Sequence, residues 1–290
     1  MNLSKLNHKL MATFLVLALV PLLTYALLSI NRASNALEEQ AFSQLETLRS
    51  LKVSQIEGFF DSRQNDMGVL IDLVDVMRQE AVRKLQAVQS IKRGQLEAYL
   101  ENTQTAVGSL KSDPNMQEAM ASFLKAVAKD GGEPGGRLWN TEYYRYGRRI
   151  ATLMEDNNWQ DVLLVDPKGT IIYSDGYEDD MGMNLHDSDF EKTPFGEVFK
   201  QVKNGVRQFV YMSDMRPYSI TDGAPAAFVM TQMYSASDKH IGYIAVKLSL
   251  QQINKILHLS EGMGETGEGY LVGPDLHLRS DSLLDPEQRT

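Results

Sequence analysis

The hydrophobic pattern divides this chain into three parts. From Leu10 to Ile30 it reads LMATFLVLALVPLLTYALLSI, 21 residues without a charge. At about 1.5 Å per residue that stretch reaches roughly 30 Å, the hydrocarbon thickness of a bilayer. From Ala33 to about Lys111 there is no proline and little glycine, and apolar residues return at steps of three and four: Leu45, Leu48, Leu51, Ile56, Phe59 and Phe60. This spacing predicts one long amphipathic helix, a stalk leading away from the apolar segment. Beyond Asn157 the period shortens towards two, which predicts strands.

Between these regimes, Ser112-Asp113-Pro114 closes the long helix and starts a short one, Pro114 to Ala128, because Asp caps and Pro fits a first turn. The glycine-rich run Asp130 to Gly136 is a loop, followed by a helix from Leu138 to Glu155. Asp161–Asp166 and Thr170–Ser174 are predicted strands joined by a tight turn at Pro167-Lys168-Gly169. A helix from Thr193 to Lys203 and strands at Gln208–Met212, Ala226–Tyr234 and Ile241–Leu248 follow, then a helix from Leu250 to Ser260. This order predicts an α+β class: a mixed antiparallel sheet covered by helices on one face, with the other face free for a ligand. Gly269 to Ser280 begins another strand-turn-strand, and a lone hairpin is marginal in water. A chain stopping at Thr290 is therefore expected to be truncated within a second module of this kind.

The long helix contains an internal repeat. Leu45-Glu-Thr-Leu-Arg-Ser-Leu-Lys-Val-Ser-Gln-Ile-Glu-Gly-Phe-Phe60 returns 40 residues later as Leu85-Gln-Ala-Val-Gln-Ser-Ile-Lys-Arg-Gly-Gln-Leu-Glu-Ala-Tyr-Leu100. Forty residues at 100° each amount to eleven turns plus about 40°, so on one helix both copies face nearly the same way. A bundle seam explains such a stripe, with the Lys and Glu of the repeat on its solvated face.

Charge narrows the function. A formal net charge of -9 and a pI near 5.1 supply no field for phosphate backbones, so nucleic acid is not an expected partner. The absence of cysteine removes disulfides, thiolate nucleophiles and cysteine-ligated zinc. Lys5, Lys9 and the α-amino group precede the apolar segment, whereas Arg32 is soon followed by Glu38 and Glu39, which predicts a cytoplasmic N-terminus. The segment exceeds the roughly 7 to 15 apolar residues of a signal peptide, so it is read as an uncleaved anchor.

Several stretches now resemble a known family. Gly264-Glu-Thr-Gly-Glu-Gly-Tyr-Leu-Val-Gly-Pro-Asp275 with Leu278-Arg-Ser-Asp-Ser282 resembles the opening of the membrane-proximal module of double Cache sensor domains, found in methyl-accepting chemotaxis proteins and related bacterial receptors. Val162 to Tyr173, Ser213 to Tyr218 and Ala224 to Phe228 resemble the membrane-distal, PAS-like module. The resemblance implies a cytoplasmic terminus (1–9), a transmembrane helix (10–31), a periplasmic helix (32–112), a ligand-binding distal module (113–260) and the start of a proximal module (261–290). It implies a homodimeric sensor in the bacterial inner membrane that binds a small molecule outside the cytoplasm, without a cofactor and without catalysis. The pocket would fall near Tyr173, Asp214, Arg216, Tyr218 and Phe228, where a carboxylate, a guanidinium and phenols beside an apolar wall would orient a polar ligand. Tyr143 to Arg149 matches only loosely the Arg-x-Trp-Tyr pattern of the amino-acid-binding subfamily.

Other motifs carry less. Gly262 to Gly267 fits G-x-G-x-x-G but follows a helix instead of opening one, so it is a helix stop and turn. His8, His186, His240, His258 and His277 are far apart, with no zinc-type pairing. No nucleophile and base motif occurs. Tyr177 to Asp180 is an acidic cluster, open to a cation-attracting or a solvated-loop reading. A chemoreceptor sensor leads; the sensor part of a histidine kinase or nucleotide cyclase receptor, or a tethered adaptor that binds a partner receptor through the long helix, are the alternatives.

Overall fold

The computed structural model describes residues 3–176, 178–220, 223–259, 262–264 and 266–285. Two compact units divide the chain, Met1–Glu80 and Ala81–Thr290. The first is helical: helix α1 runs from Leu3 to Leu110, and its residues up to Glu80 make up that unit. The helix is long and apolar enough to cross a membrane. Its large apolar side chains between Leu10 and Leu70 are exposed.

In the second unit each boundary has a local cause. Asp113 caps α2 (Pro114–Lys129) by accepting from the backbone N–H groups of Asn115 and Met116 at 2.8 and 3.0 Å, with Pro114 in the first turn. Helix α3 (Arg137–Asn157) begins where Asp130 Oδ2 accepts from the N–H groups of Leu138 and Trp139, each at 2.8 Å. It ends at Asn158, which takes a left-handed φ of 55°. Thr193 caps α4 (Pro194–Asn204) and Ser249 caps α5 (Leu250–Leu257). At Gly196, in the first turn of α4, a Cβ would lie 1.9 Å from the carbonyl oxygen of Phe190, so only glycine lets that helix approach the 3₁₀ turn Ser188–Phe190.

Strands β1 (Trp159–Val165), β2 (Ile171–Ser174), β3 (Tyr211–Met212), β6 (Phe228–Tyr234) and β7 (His240–Leu248) form one antiparallel sheet in the order β2-β1-β7-β6-β3. A second, two-stranded pairing joins β4 (Arg216–Pro217) to β5 (Pro225–Ala226). The α+β expectation holds. Details differ from the pattern reading, and the strand-turn-strand expected from Gly269 to Ser280 forms only an isolated bridge between Val272 and Leu278. The strand expected from Gln208 shortens to Tyr211–Met212, the β4–β5 pairing was not foreseen, and the helix expected to reach Ser260 ends at Leu257, Ser260 itself lying outside the described residues.

Helices cover both faces of the sheet, so no face is free as expected. On one face Val162, Leu164, Val229, Ile244 and Val246 pack with α2, α3 and the end of α1, including Val107, Phe123, Trp139 and Ile150. On the other, Leu163, Val165, Met230 and Ala245 pack with Phe195, Val198, Phe199 and Val202 of α4. An alternating strand sheds apolar residues to both sides, and each needs cover.

Candidate functional site

The α4-side face is apolar at the helix and charged beyond it. In register across the sheet, Asp161 of β1 stands opposite Lys247 of β7, which stands opposite Phe228 of β6. Asp161 and Lys247 belong to the same pleat phase as the apolar Leu163 and Ala245, so a carboxylate and an ammonium are carried inward by strand alternation. Both are buried, Asp161 completely.

Their partners come from loops. Lys247 Nζ donates to Glu178 Oε2 at 2.6 Å and lies 5.6 Å from the centre of the Tyr218 ring. Tyr218 Oη donates to Asp180 Oδ2 at 2.7 Å. Asp161 is held by Ser174 Oγ, donating to Oδ2 at 2.6 Å, and by the N–H groups of Asp175 and Gly176, donating to Oδ1 at 2.8 and 3.2 Å. Tyr173 Oη donates to Asp175 Oδ1 at 2.7 Å, and Tyr143 Oη points at the Asp175 carbonyl at 3.5 Å. A phenol-lined rim thus surrounds a buried group of charges.

The charges do not balance. Asp161, Glu178 and Asp180 contribute three carboxylates against the single ammonium of Lys247. Burial pushes the Asp161 carboxyl up to about 6, with Ser174 and the backbone donors working against it and Glu178 adding to it. Burial likewise raises Asp180, opposed by the Tyr218 hydrogen bond. Asp180 is fully buried, and its Oδ1 has no hydrogen-bond partner among the described residues. A buried acceptor without a donor costs about 1–3 kcal/mol, more when charged, so this oxygen marks a place where a donor is missing. Among the described residues these acids form no set that could hold a metal ion.

The structure distributes the five residues named from the sequence unevenly. Tyr218 is in the cluster, with its ring 5.2 Å from that of Phe228. Phe228 stacks on Phe195, centroids 4.3 Å apart, and forms the wall between the charges and the α4 core. Tyr173 reaches the rim through its hydroxyl, while its ring packs against Phe123 and Trp139 on the opposite face. Arg216 in β4 pairs with Glu197 of α4, and its buried Nε lacks a partner among the described residues. Asp214 lies apart: both its oxygens accept from the Arg279 guanidinium, at 3.0 and 2.7 Å, beside a cavity of about 360 Å³ lined by Leu96, Leu100, Met215 and Leu271. Asp161, Glu178, Asp180 and Lys247 were not singled out individually, although Glu178 and Asp180 lay in the acidic stretch noted above. The readable signal was a charge at an inward position of each of two otherwise apolar strands. Tyr177 of that stretch lies outside the described residues.

No family model matches the chain, and no curated protein matches it. Among solved structures it is similar to the sensor domain of the V. cholerae histidine kinase DctB, at 16% identity and a TM-score of 0.44, covering 61% of this chain and 59% of that one. It is similar to the ligand-binding domain of the Campylobacter jejuni chemoreceptor Tlp3 with 4-methylisoleucine, at 9% identity and a TM-score of 0.44, covering 70% and 69%. It is also similar to the ligand-binding domain of the Pseudomonas aeruginosa amino-acid chemoreceptor PctC with GABA, at 13% identity and a TM-score of 0.42, covering 69% and 75%.

Proposed function

We propose that this chain is the membrane-anchored sensory part of a bacterial chemoreceptor and that it binds, outside the cytoplasm, a small molecule bearing a cationic group such as an amine. The Oδ1 of Asp180, unpartnered among the described residues and buried with two further carboxylates and one lysine, carries the ligand class. An ammonium donates up to three hydrogen bonds and brings the missing positive charge, whereas an anion would meet net repulsion. Tyr173 takes part at the rim, Tyr218 as the phenol bonded to Asp180, Phe228 as the wall and Arg216 as the anchor of β4 to α4; Asp214, with Arg279, stands outside the site in this reading. The apolar segment Leu10–Ile30 anchors the protein in the inner membrane with its N-terminus inside, a second copy pairs with it, and helix α1 carries the response.

The test is thermal unfolding of the detergent-solubilised protein against a panel of amines and amino acids, each paired with an uncharged isostere. At a hundredfold excess over Kd a cationic ligand stabilises by about 2.7 kcal/mol. Asp180→Asn is expected to remove that response, and affinity is expected to rise with pH through about 6 as Asp161 ionises. A response to anions alone, or none across the panel, overturns the reading.

A further inference from the structure

Behind the charged cluster, strand alternation turns a different set of side chains away from α4. Phe228 and Lys247 face the cluster. Their neighbours Ala227 and Leu248, joined where the Leu248 N–H donates to the Ala227 carbonyl at 2.9 Å, belong to the core on the α2–α3 side. There they back the cavity of about 360 Å³ beside Asp214. Its other walls are aliphatic or thioether: Leu96 and Leu100 near the end of α1, Met212 of β3, Met215, Ile253 of α5 and Leu271. All of these residues belong to the unit Ala81–Thr290.

Three polar side chains complete the lining, Ser213, Asp214 and Arg279, and they differ in what they can still bind. The N–H groups of Arg279 are all engaged. Nε donates to Asp214 Oδ1 at 3.0 Å, Nη2 to Asp214 Oδ2 at 2.7 Å and Asp275 Oδ1 at 2.9 Å, and Nη1 to the carbonyls of His277 at 3.2 Å and Leu278 at 3.5 Å. Asp214, the exposed member of the lining, is neutralised by that guanidinium through both its oxygens. Ser213 is buried, and its Oγ accepts from the Phe228 N–H at 2.9 Å. Among the described residues its hydroxyl hydrogen reaches no acceptor. The side chains of the wall therefore offer one neutral donor and no free charge.

We infer that this cavity is a second ligand site, for an uncharged and mainly apolar molecule with one acceptor oxygen, the chemistry of a small aromatic or branched aliphatic ketone or ester. The size fits: an apolar cavity of roughly 150 Å³ already holds benzene, so this one has room for a ring with a side chain. Water fits poorly, because it needs about two to four polar partners and these side chains spare a single hydroxyl. Leu96, Leu100, Met212 and Leu271 are only partly buried, and an apolar occupant removes their remaining surface from water. The two methionines are unbranched and adapt to the outline of a ligand. A carboxylate finds no free N–H on Arg279, and an ammonium finds Asp214 already held, so a charge on the ligand is left unpaired. The site takes nothing from the cation reading of the charged cluster, which lies on the other face of the sheet.

The test uses the full chain in lipid nanodiscs, with empty nanodiscs correcting for partition into the bilayer. There para-fluoroacetophenone is expected to give a saturable, protein-dependent broadening of its fluorine NMR signal, and para-fluorobenzoate none. Leu100→Trp and Leu271→Trp fill the cavity from separate segments and are each expected to weaken binding about tenfold, read on whichever variant keeps a cooperative melting transition. Ser213→Ala is expected to weaken the ketone about fivefold and to leave para-fluoroethylbenzene, which lacks the oxygen, unchanged. Asp180→Asn, in the charged cluster, should alter neither probe, so failure of this site and failure of that one are told apart. Absence of a saturable signal, Trp variants that bind like the unsubstituted protein, benzoate binding as tight as that of the ketone, or equal weakening of ketone and hydrocarbon by Ser213→Ala overturns the inference.

Discussion

The two faces of the sheet are packed on different terms. On the α2–α3 side, aromatic rings interlock: Trp139 stacks on Tyr143 at 5.3 Å, Phe123 approaches Tyr173 at 4.8 Å, and the Trp139 indole N–H donates to the Ile172 carbonyl at 2.7 Å. On the α4 side, comparable packing of Phe195 on Phe228 stops at Lys247, and buried charge takes over. On the α2–α3 side, among the described residues, one buried oxygen departs from the rule that buried polar atoms are matched, Glu142 Oε2 of α3. The α4 side departs from it at Asp180 Oδ1 and at Arg216 Nε, and departures of that kind are expected where a site must stay open to a ligand.

Disrupting the aromatic face should have the largest effect. Trp139→Ala removes a fully buried indole and is expected to cost about 3–5 kcal/mol in urea unfolding. A loss below about 1 kcal/mol would mean that this face is not the packing core. On the charged face, Lys247→Met removes the single ammonium from among three carboxylates and is expected to cost about 3 kcal/mol at pH 8. Part of that loss should return at pH 5, where the Asp161 carboxyl, raised by burial to about 6, accepts a proton; an equal loss at both pH values would assign the effect to packing. The smallest and most diagnostic effect is the pH dependence of the unsubstituted protein. Asp161 has a higher pKa folded than unfolded, so the folded state holds the extra proton and this contribution, complete below about 4, fades as pH rises through about 6. Asp161→Asn should flatten stability between those pH values, and an unchanged slope would remove Asp161 as its source.

The fold was legible because its signals are local. Asp113-Pro114 and Thr193-Pro194 announce helix starts, the change of period after Asn157 announces strands, and Pro167-Lys168-Gly169 announces a turn. The short strands β3, β4 and β5 were harder to read, because two-residue pairings leave no periodicity to find. The charged cluster was legible only in part. Tyr218 and Phe228, named through the family resemblance, lie beside the charged cluster, whereas Asp214, named with them, is taken up by Arg279. Residue type states what a side chain can do; which neighbour engages it depends on chain segments tens of residues away.

By itself the sequence determined the apolar segment, the long helix with its duplicated face, the α+β order of elements and the lack of thiol chemistry, since each follows from composition or from spacing along the chain. Only the tertiary structure decided that α4 closes the second face of the sheet, that Asp161 and Lys247 meet across strands, and that Asp180 keeps an oxygen without a donor. Those outcomes come from register and burial, and burial gives a carboxylate a different proton affinity and a different need for partners from the same group in water.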